Sequence, residues 1–303
     1  MNVIECCQVS RRFLRTWALR DCGLAIPAGQ VVALVGPNGA GKTTLLNLAA
    51  GLLRPTSGTL SVLGGLRPGS ERARAGIGFV AQDAPLYRHL PAGAMLRIAE
   101  NLNVSWDRPV ALARLAELGI PLDRKVGSLS GGQRAQLALT IALAKRPVLL
   151  VLDEPLANLD PLARHDFLAA LMAAVAQEGL SVVFSSHVIS ELEPVADYLV
   201  VLNQGRPQIA GAIDDLLARH RVLTGPTGEV LLDSRMFSVI QARQADAQTR
   251  LLVSTACGAD AAPPGWISEP AGLSEIVLGY LRDPAATIMP VPAIAAASGR
   301  EAS

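Results

Sequence analysis

The residue run best suited to chemistry is Gly36-Pro37-Asn38-Gly39-Ala40-Gly41-Lys42-Thr43, followed by Thr44. A run of this kind cradles nucleotide phosphates when a buried strand leads into it and a helix leads out. Both flanks fit: Val31 to Val35 is apolar and β-branched, and Thr44 to Ala50 reads as a helix ending near Gly51. Backbone N–H groups of Gly39 to Thr43 then point at a β-phosphate, where the helix dipole also favours negative charge. Glycine keeps side chains out of that approach. Lys42 is expected to reach the β- and γ-phosphates of ATP, and the Thr43 hydroxyl to hold Mg²⁺. A second chemical pair, Asp153-Glu154, ends the apolar run Val148 to Leu152. Asp153 is expected beside the glycine-rich loop, helping to hold Mg²⁺ through water. Glu154 is expected to face the γ-phosphate and to orient or deprotonate an attacking water.

The elements that must position these groups follow from periodicity. Residues 1 to about 35 read as three strands that begin a sheet in antiparallel fashion, with turns at Arg11 to Arg15 and Pro27 to Gly29. Strands are expected at Gly58 to Val62 and Ile77 to Val80. Between about 88 and 146 the pattern is helical, broken at Pro109, at Gly119 to Pro121 and at Gly127 to Ser130. The runs Val148 to Leu152 and Ser181 to Phe184 are short and continuously apolar, as in a parallel sheet covered on both faces. Pro161 to Gln177 is the crossover helix that such a pair requires. Tyr198 to Leu202 and Pro207 to Gly211 close the sheet around a turn at Asn203 to Gly205. The expected fold is α/β: a P-loop NTPase core with an antiparallel β subdomain, an inserted helical subdomain and a small C-terminal α+β appendage.

The core is expected to span residues 1–220 and the appendage 221–284. Within the appendage, Gly225 to Gly228 reads as a turn, and strands fall at Val230 to Leu232, Phe237 to Ile240 and Arg250 to Ser254. A loop at Ala259 to Gly265 and an amphipathic helix at Gly272 to Leu281 follow. The Ala- and Pro-rich residues 285–303 read as a disordered tail.

Composition narrows the function. Among 303 residues, 27 Lys and Arg against 26 Asp and Glu give a net charge of +1, so nucleic acid is not an expected partner. Hydrophobic residues make up 50% of the chain, and a mean hydropathy of +0.34 raises the question of a membrane span. Charge interrupts stretches such as Phe167 to Ala176 well before the roughly 18 residues a span needs. Met1-Asn-Val-Ile-Glu-Cys6 lacks a basic segment followed by an apolar one, so the cytosol is the expected location. Cys6, Cys7, Cys22 and Cys257 have neither metal-ligand nor redox spacing and read as reduced packing residues.

Taken in order, Gly36 to Thr43, Gln82, Leu129-Ser130-Gly131-Gly132-Gln133, Val148 to Glu154, Ala157-Asn-Leu-Asp160 and His187 resemble the ATP-binding subunit of ABC transporters, over roughly residues 1 to 220. The resemblance implies a head-to-tail dimer of cassettes. Ser130, Gly131 and Gly132 open a helix near Gln133, and their bare N–H groups would close on ATP held by the partner's glycine-rich loop. It further implies that Gln82 contacts Mg²⁺ and the attacking water, that His187 contacts the γ-phosphate and that Asp160 communicates across the dimer. Ala157 stands where the family often has serine, so no hydroxyl role carries over there. An aromatic of the first hairpin should stack on adenine, either Phe13 or Trp17. The implied partners are a transmembrane permease subunit and a second cassette, with the protein peripheral on the inner face of the membrane. Leu273 to Leu281 resembles the closing helix of the drug- and antibiotic-export branch, which points to export. The alternative is an ABC ATPase of translation or DNA repair, for which tandem cassettes or a long coiled-coil insert would be expected. A module that binds without hydrolysing would show a damaged catalytic set, whereas Lys42, Gln82, Glu154 and His187 are all in place.

Overall fold

The computed structural model describes residues 1–227, 236–245, 248–255 and 262–282. The expected strand at Val230 to Leu232, the first residues of the 259–265 loop, Cys257 and the 285–303 tail lie outside the described residues.

The chain opens with a long hairpin, β1 (Asn2–Phe13) and β2 (Thr16–Pro27), then enters β3 (Val31–Val35) and α1 (Lys42–Ala49). Next come β4 (Ser57–Val62), α2 (Glu71–Gly76) and β5 (Ile77–Val80). Three helices follow, α3 (Ala92–Leu102), α4 (Arg108–Glu117) and α5 (Gly131–Ala144), before β6 (Leu149–Leu152), α6 (Pro161–Glu178) and β7 (Ser181–Ser186). The chain continues through β8 (Tyr198–Asn203), β9 (Arg206–Ala212), α7 (Ile213–Arg219) and β10 (His220–Pro226). It ends in β11 (Phe237–Ala245), β12 (Gln248–Thr255), β13 (Ile267–Pro270) and α8 (Leu273–Arg282).

These strands form three sheets, ordered β2-β1-β4, β5-β6-β7-β3-β8-β9 and β11-β12-β10-β13. The first is antiparallel, and the six-stranded sheet is parallel except for β9. The third strand of the chain therefore does not continue the antiparallel start. All five residues of β3 are buried, while β1 and β2 keep exposed positions, so β3 belongs where both faces are covered. Its period-two alternation feeds two cores: Val31, Ala33 and Val35 face one cluster, Val32 and Leu34 the other. Leu150 and Leu152 of β6 and Val182 and Phe184 of β7 join the first; Leu149, Val151 and Val183 join the second. The hairpin supplies most of the second core's roof. There Cys6 and Cys22 are buried, and a mutual hydrogen bond followed by burial pushes the Cys6 thiol up, which suits inert packing. Cys7 departs from the packing expectation: strand alternation turns it outward.

The inserted helices gather their own core from Met95, Leu96, Leu115 and Leu137. Pro109 stands just after the expected break, which separates α3 from α4. It sits in the first turn of α4, where its missing N–H is harmless, and Asp107 caps that turn by accepting the Val110 N–H at 3.0 Å. Two short helices, α2 and α7, had no signature in the sequence because each is under two turns long. Gly225 and Pro226 also differ from the expected turn, since they complete β10. A Cβ at Gly225 would lie 2.2 Å from the Trp266 ring, so glycine lets the indole rest on the strand. Helix α8 returns to the six-stranded sheet: Ile276, Val277 and Tyr280 share one core with Leu199 and Val201 of β8, and Asn203 Nδ2 donates to the Leu281 carbonyl at 2.9 Å.

Candidate nucleotide-binding and catalytic site

Strands β6, β7 and β3 are consecutive and parallel, with Leu152 opposite Phe184 and Val35 opposite Ser186. Their carboxyl ends therefore share one edge, which delivers Gly36, Asp153-Glu154 and His187 together, the place where open α/β sheets bind ligands.

Lys42 is buried, with Nζ donating to the Gly36 carbonyl at 2.7 Å and to Pro37 at 3.3 Å while pairing with Glu154 Oε1 at 3.1 Å. The other Glu154 oxygen lies 2.7 Å from His187 Nδ1; an ionised carboxylate only accepts, so Nδ1 carries the hydrogen. Thr43 Oγ1 donates to Asp153 Oδ1 at 3.1 Å. One residue not singled out from sequence joins the two acids: the Ser185 hydroxyl donates to Asp153 Oδ1 at 2.8 Å and accepts the Glu154 N–H at 2.9 Å. The signal was a hydroxyl at the end of an apolar strand, and Ser185 is fully buried. Glu154 has φ 48°, a left-handed backbone unusual outside glycine, and the Ser185 bond holds its N–H in that conformation.

Two of the loop glycines answer to packing beneath the loop. A Cβ at Gly36 would lie 2.2 Å from the Leu202 carbonyl oxygen, and one at Gly41, where φ is +104°, would lie 2.4 Å from that of Ala18. Packing therefore adds a second demand for glycine at these two positions beside the expected phosphate access. Gly41 also N-caps α1 without a side-chain acceptor, which leaves the first-turn N–H groups available to an anion.

One depression is lined by Phe13, Ala18, Asn38 to Thr44, Gln82, Glu154, Ala157 and His187. Phe13 is thus beside the loop, with the Arg11 guanidinium 4.6 Å from its ring centre, whereas Trp17 is not among the lining residues and lies under Arg12. Ser130, Gly131, Gly132, Gln133 and Asp160 are not brought to this depression. Helix α5 begins at Gly131, slightly before the expected start. Ser130 caps it by accepting the Gln133 N–H at 3.1 Å, and Gln133 Oε1 accepts the Ser130 N–H at 3.2 Å. Asp160 likewise caps α6 by accepting the Ala163 N–H at 2.9 Å. A Cβ at Gly132 would meet Ala163 Cβ at 2.7 Å, whereas Gly131 is less confined and lines a second depression with Asp83, Arg134 and Leu159. Gln82 borders both depressions.

The Thr43 hydroxyl and Asp153 carboxylate are hard oxygen donors, the kind Mg²⁺ takes singly or in pairs alongside phosphate oxygens and water. No group of three or more His, Cys, Asp or Glu residues suited to a metal occurs among the described residues.

Residues 19–157 match the family model described as ABC transporter. A lantibiotic transport ATP-binding protein of Streptococcus pyogenes is 35% identical over 189 residues, which cover 62% of this chain and 81% of that protein. The chain belongs to the ABC transporter family. A molybdenum import ATP-binding protein of Aromatoleum aromaticum is 38% identical over 211 residues, 66% of this chain and 55% of the relative, so the chain spans little more than half of that protein. Among solved structures, an ATP-binding subunit of an ABC transporter superposes with a TM-score of 0.63 at 28% identity, covering 71% of this chain and 91% of that one. The architecture is the ABC cassette fold, α/β with an antiparallel β subdomain and an inserted helical part. Import proteins for molybdenum, iron and sulfate among the relatives give no support to the export branch expected from Leu273 to Leu281. No helix among the described residues is long and apolar enough to cross a membrane.

Proposed function

We propose that this ABC-family chain hydrolyses ATP to ADP and phosphate and powers a separate membrane-spanning permease. Two cassettes, this chain with a copy or a close relative, would close head to tail on ATP. The observation that carries the reading is Glu154, buried at the edge of the glycine-rich loop, paired with Lys42 and bonded to His187 beside Thr43 and Asp153. Phosphate would draw Lys42 away from Glu154 Oε1, because Lys42 and the α1 N-terminus then share a polyanion. The freed oxygen takes the proton of the attacking water, while His187 holds the other oxygen in place. Thr43 and Asp153, with Gln82 at the rim, would hold Mg²⁺, which supplies neutralisation of phosphate charge when bound. Phe13 offers its exposed face to adenine. Ser130, Gly131, Gly132 and Gln133 lie away from the chain's own loop, and Gly131 has room on its open side, in keeping with contact to ATP on the second cassette along with Asp160.

The permease would dock along Gln82 to Leu90 and the adjoining groove between core and helical subdomain, where Leu52, Leu102 and Val104 are exposed apolar residues. We place the protein on the cytoplasmic face of the membrane through that partner, with residues 1–220 as the cassette and 221–284 as an accessory unit. For the direction of transport, the finer proposal of export rests on the likeness of α8 alone, since the relatives include several import proteins. Phosphate release from Mg²⁺-ATP by the purified protein tests the chemistry; no release and no binding of mant-ATP, a fluorescent ATP analogue, would sink it. Detergent pull-down from native membranes tests the partner, and recovery of ribosomes or repair proteins without a multi-spanning protein would count against a transporter.

A further inference from the structure

We infer that Arg164 and Glu191 are positioning residues that tie the turn before α6 to the segment carrying His187, an inference that rests on the ATPase reading above. Arg164 stands in the first turn of α6. One arm of its guanidinium meets Glu191 Oε1 at 2.5 Å, and the other donates to the Leu159 carbonyl at 3.3 Å. Glu191 is 9% exposed at its side chain, and its second oxygen accepts from the Ser186 hydroxyl at 3.3 Å. Ser186 is the neighbour of His187 and also accepts the Val188 N–H at 3.0 Å, so it fixes the backbone on both sides of the histidine. An exposed ion pair is a weak tie, but this carboxylate is nearly out of solvent and its arginine is two-thirds so.

The arginine is placed for its two loop contacts. Its Nε is buried and has no hydrogen-bond partner among the described residues. The guanidinium reaches Glu191 and Leu159 with two different nitrogens, whereas a lysine would have to serve both from one. Leu159 borders the second depression together with Gly131 and Asn158. A second cassette pressing on that face would therefore reach Ser186, His187 and Glu154 through Arg164 and Glu191. The brace sets the geometry of the catalytic pair without touching nucleotide.

The test is a cycle of Arg164→Gln, Glu191→Gln and the double variant in the full chain, with kcat expressed per folded protein after thermal melting. We expect kcat to fall about fivefold to twentyfold in each single variant, mant-ATP affinity and KM to stay within about twofold, and the double variant to be no worse than the weaker single. Turnover within twofold of the parent, or losses that multiply in the double variant, would overturn the brace. Hydrogen exchange gives a readout that needs no turnover: Arg164→Gln should speed exchange in the segment 186–193, and unchanged exchange there also overturns the inference. A parent that releases no phosphate overturns the ATPase reading instead, and the exchange measurement still decides the brace.

Discussion

Glu154 carries Lys42 on one oxygen and His187 on the other, a left-handed backbone and a single hydroxyl under its N–H. Replacing it by Gln keeps the shape and removes the base, so turnover should drop about 10²-fold or more while ATP is retained. A closed dimer trapped by ATP and seen by size-exclusion chromatography is the expected companion; a monomer with full turnover would refute the assignment. Lys42→Ala strands the buried Glu154 carboxylate and removes a charge-assisted phosphate donor, so mant-ATP affinity should weaken at least about tenfold. Unchanged affinity would contradict the role given to the loop. Ser185→Ala leaves the Glu154 N–H unpaired in a buried site, a loss of about 1–3 kcal/mol in stability by chemical denaturation, with kcat falling as Glu154 leaves its position. Equal stability and turnover would mean that β7 holds Glu154 without the hydroxyl. Lys42 and Glu154 were legible as types at a spacing. Ser185 was not, because a serine at a strand end acquires meaning only from the two acids folded against it.

At the scale of elements, α7, β10 and α8 meet at His220. Its Nδ1 lies 2.6 Å from the Leu216 carbonyl and its Nε2 3.1 Å from the Tyr280 hydroxyl. A carbonyl only accepts, so Nδ1 carries the hydrogen and Nε2 accepts from Tyr280, a neutral ring. Burial is the main cause holding the His220 pKa below its ordinary value, and burial raises that of Tyr280. At His220 the unfolded chain therefore binds more protons than the folded one. Stability from this site is fully present above the unfolded value of about 6.5 and is lost as pH falls through the lower folded value. Denaturant midpoints should fall across that window, and His220→Gln should flatten that fall; an equally steep decline in the variant would assign the effect to other groups. Tyr280→Phe should cost about 1 kcal/mol by removing the donor to Nε2.

For the whole molecule, the C-terminal elements are part of the cassette's packing. Ile276, Val277 and Tyr280 lie in one core with Val31, Leu199 and Phe184. Each buried side chain of that size contributes roughly 1.5–3 kcal/mol, so ending the chain at Arg219 should expose β8 and β9 and lower the melting temperature or cause aggregation. A truncated protein that melts like the parent would mean that α8 is a detachable cover. The site is a property of this scale too: only the parallel order β6-β7-β3 sets acid, histidine and glycine-rich loop on one edge.

The sequence by itself determined the residues available for chemistry: a glycine-rich loop between a strand and a helix, an acidic pair at a strand end, a second glycine-bearing helix start, and continuous apolar runs that announce a parallel α/β core. Those features are local, since they depend on residue type within a few positions. Tertiary structure alone decided that β3 joins the parallel sheet, that Gly36 and Gly41 are demanded by the Leu202 and Ala18 carbonyls, and that Phe13 rather than Trp17 lines the depression. It also set Ser185 between two acids and Arg164 between two loops. Apart from Arg164 to Leu159, which are five positions apart, these contacts join residues far apart in the chain, and the free energy that fixes them comes from burial and hydrogen-bond satisfaction summed over the fold, which no short window of sequence displays.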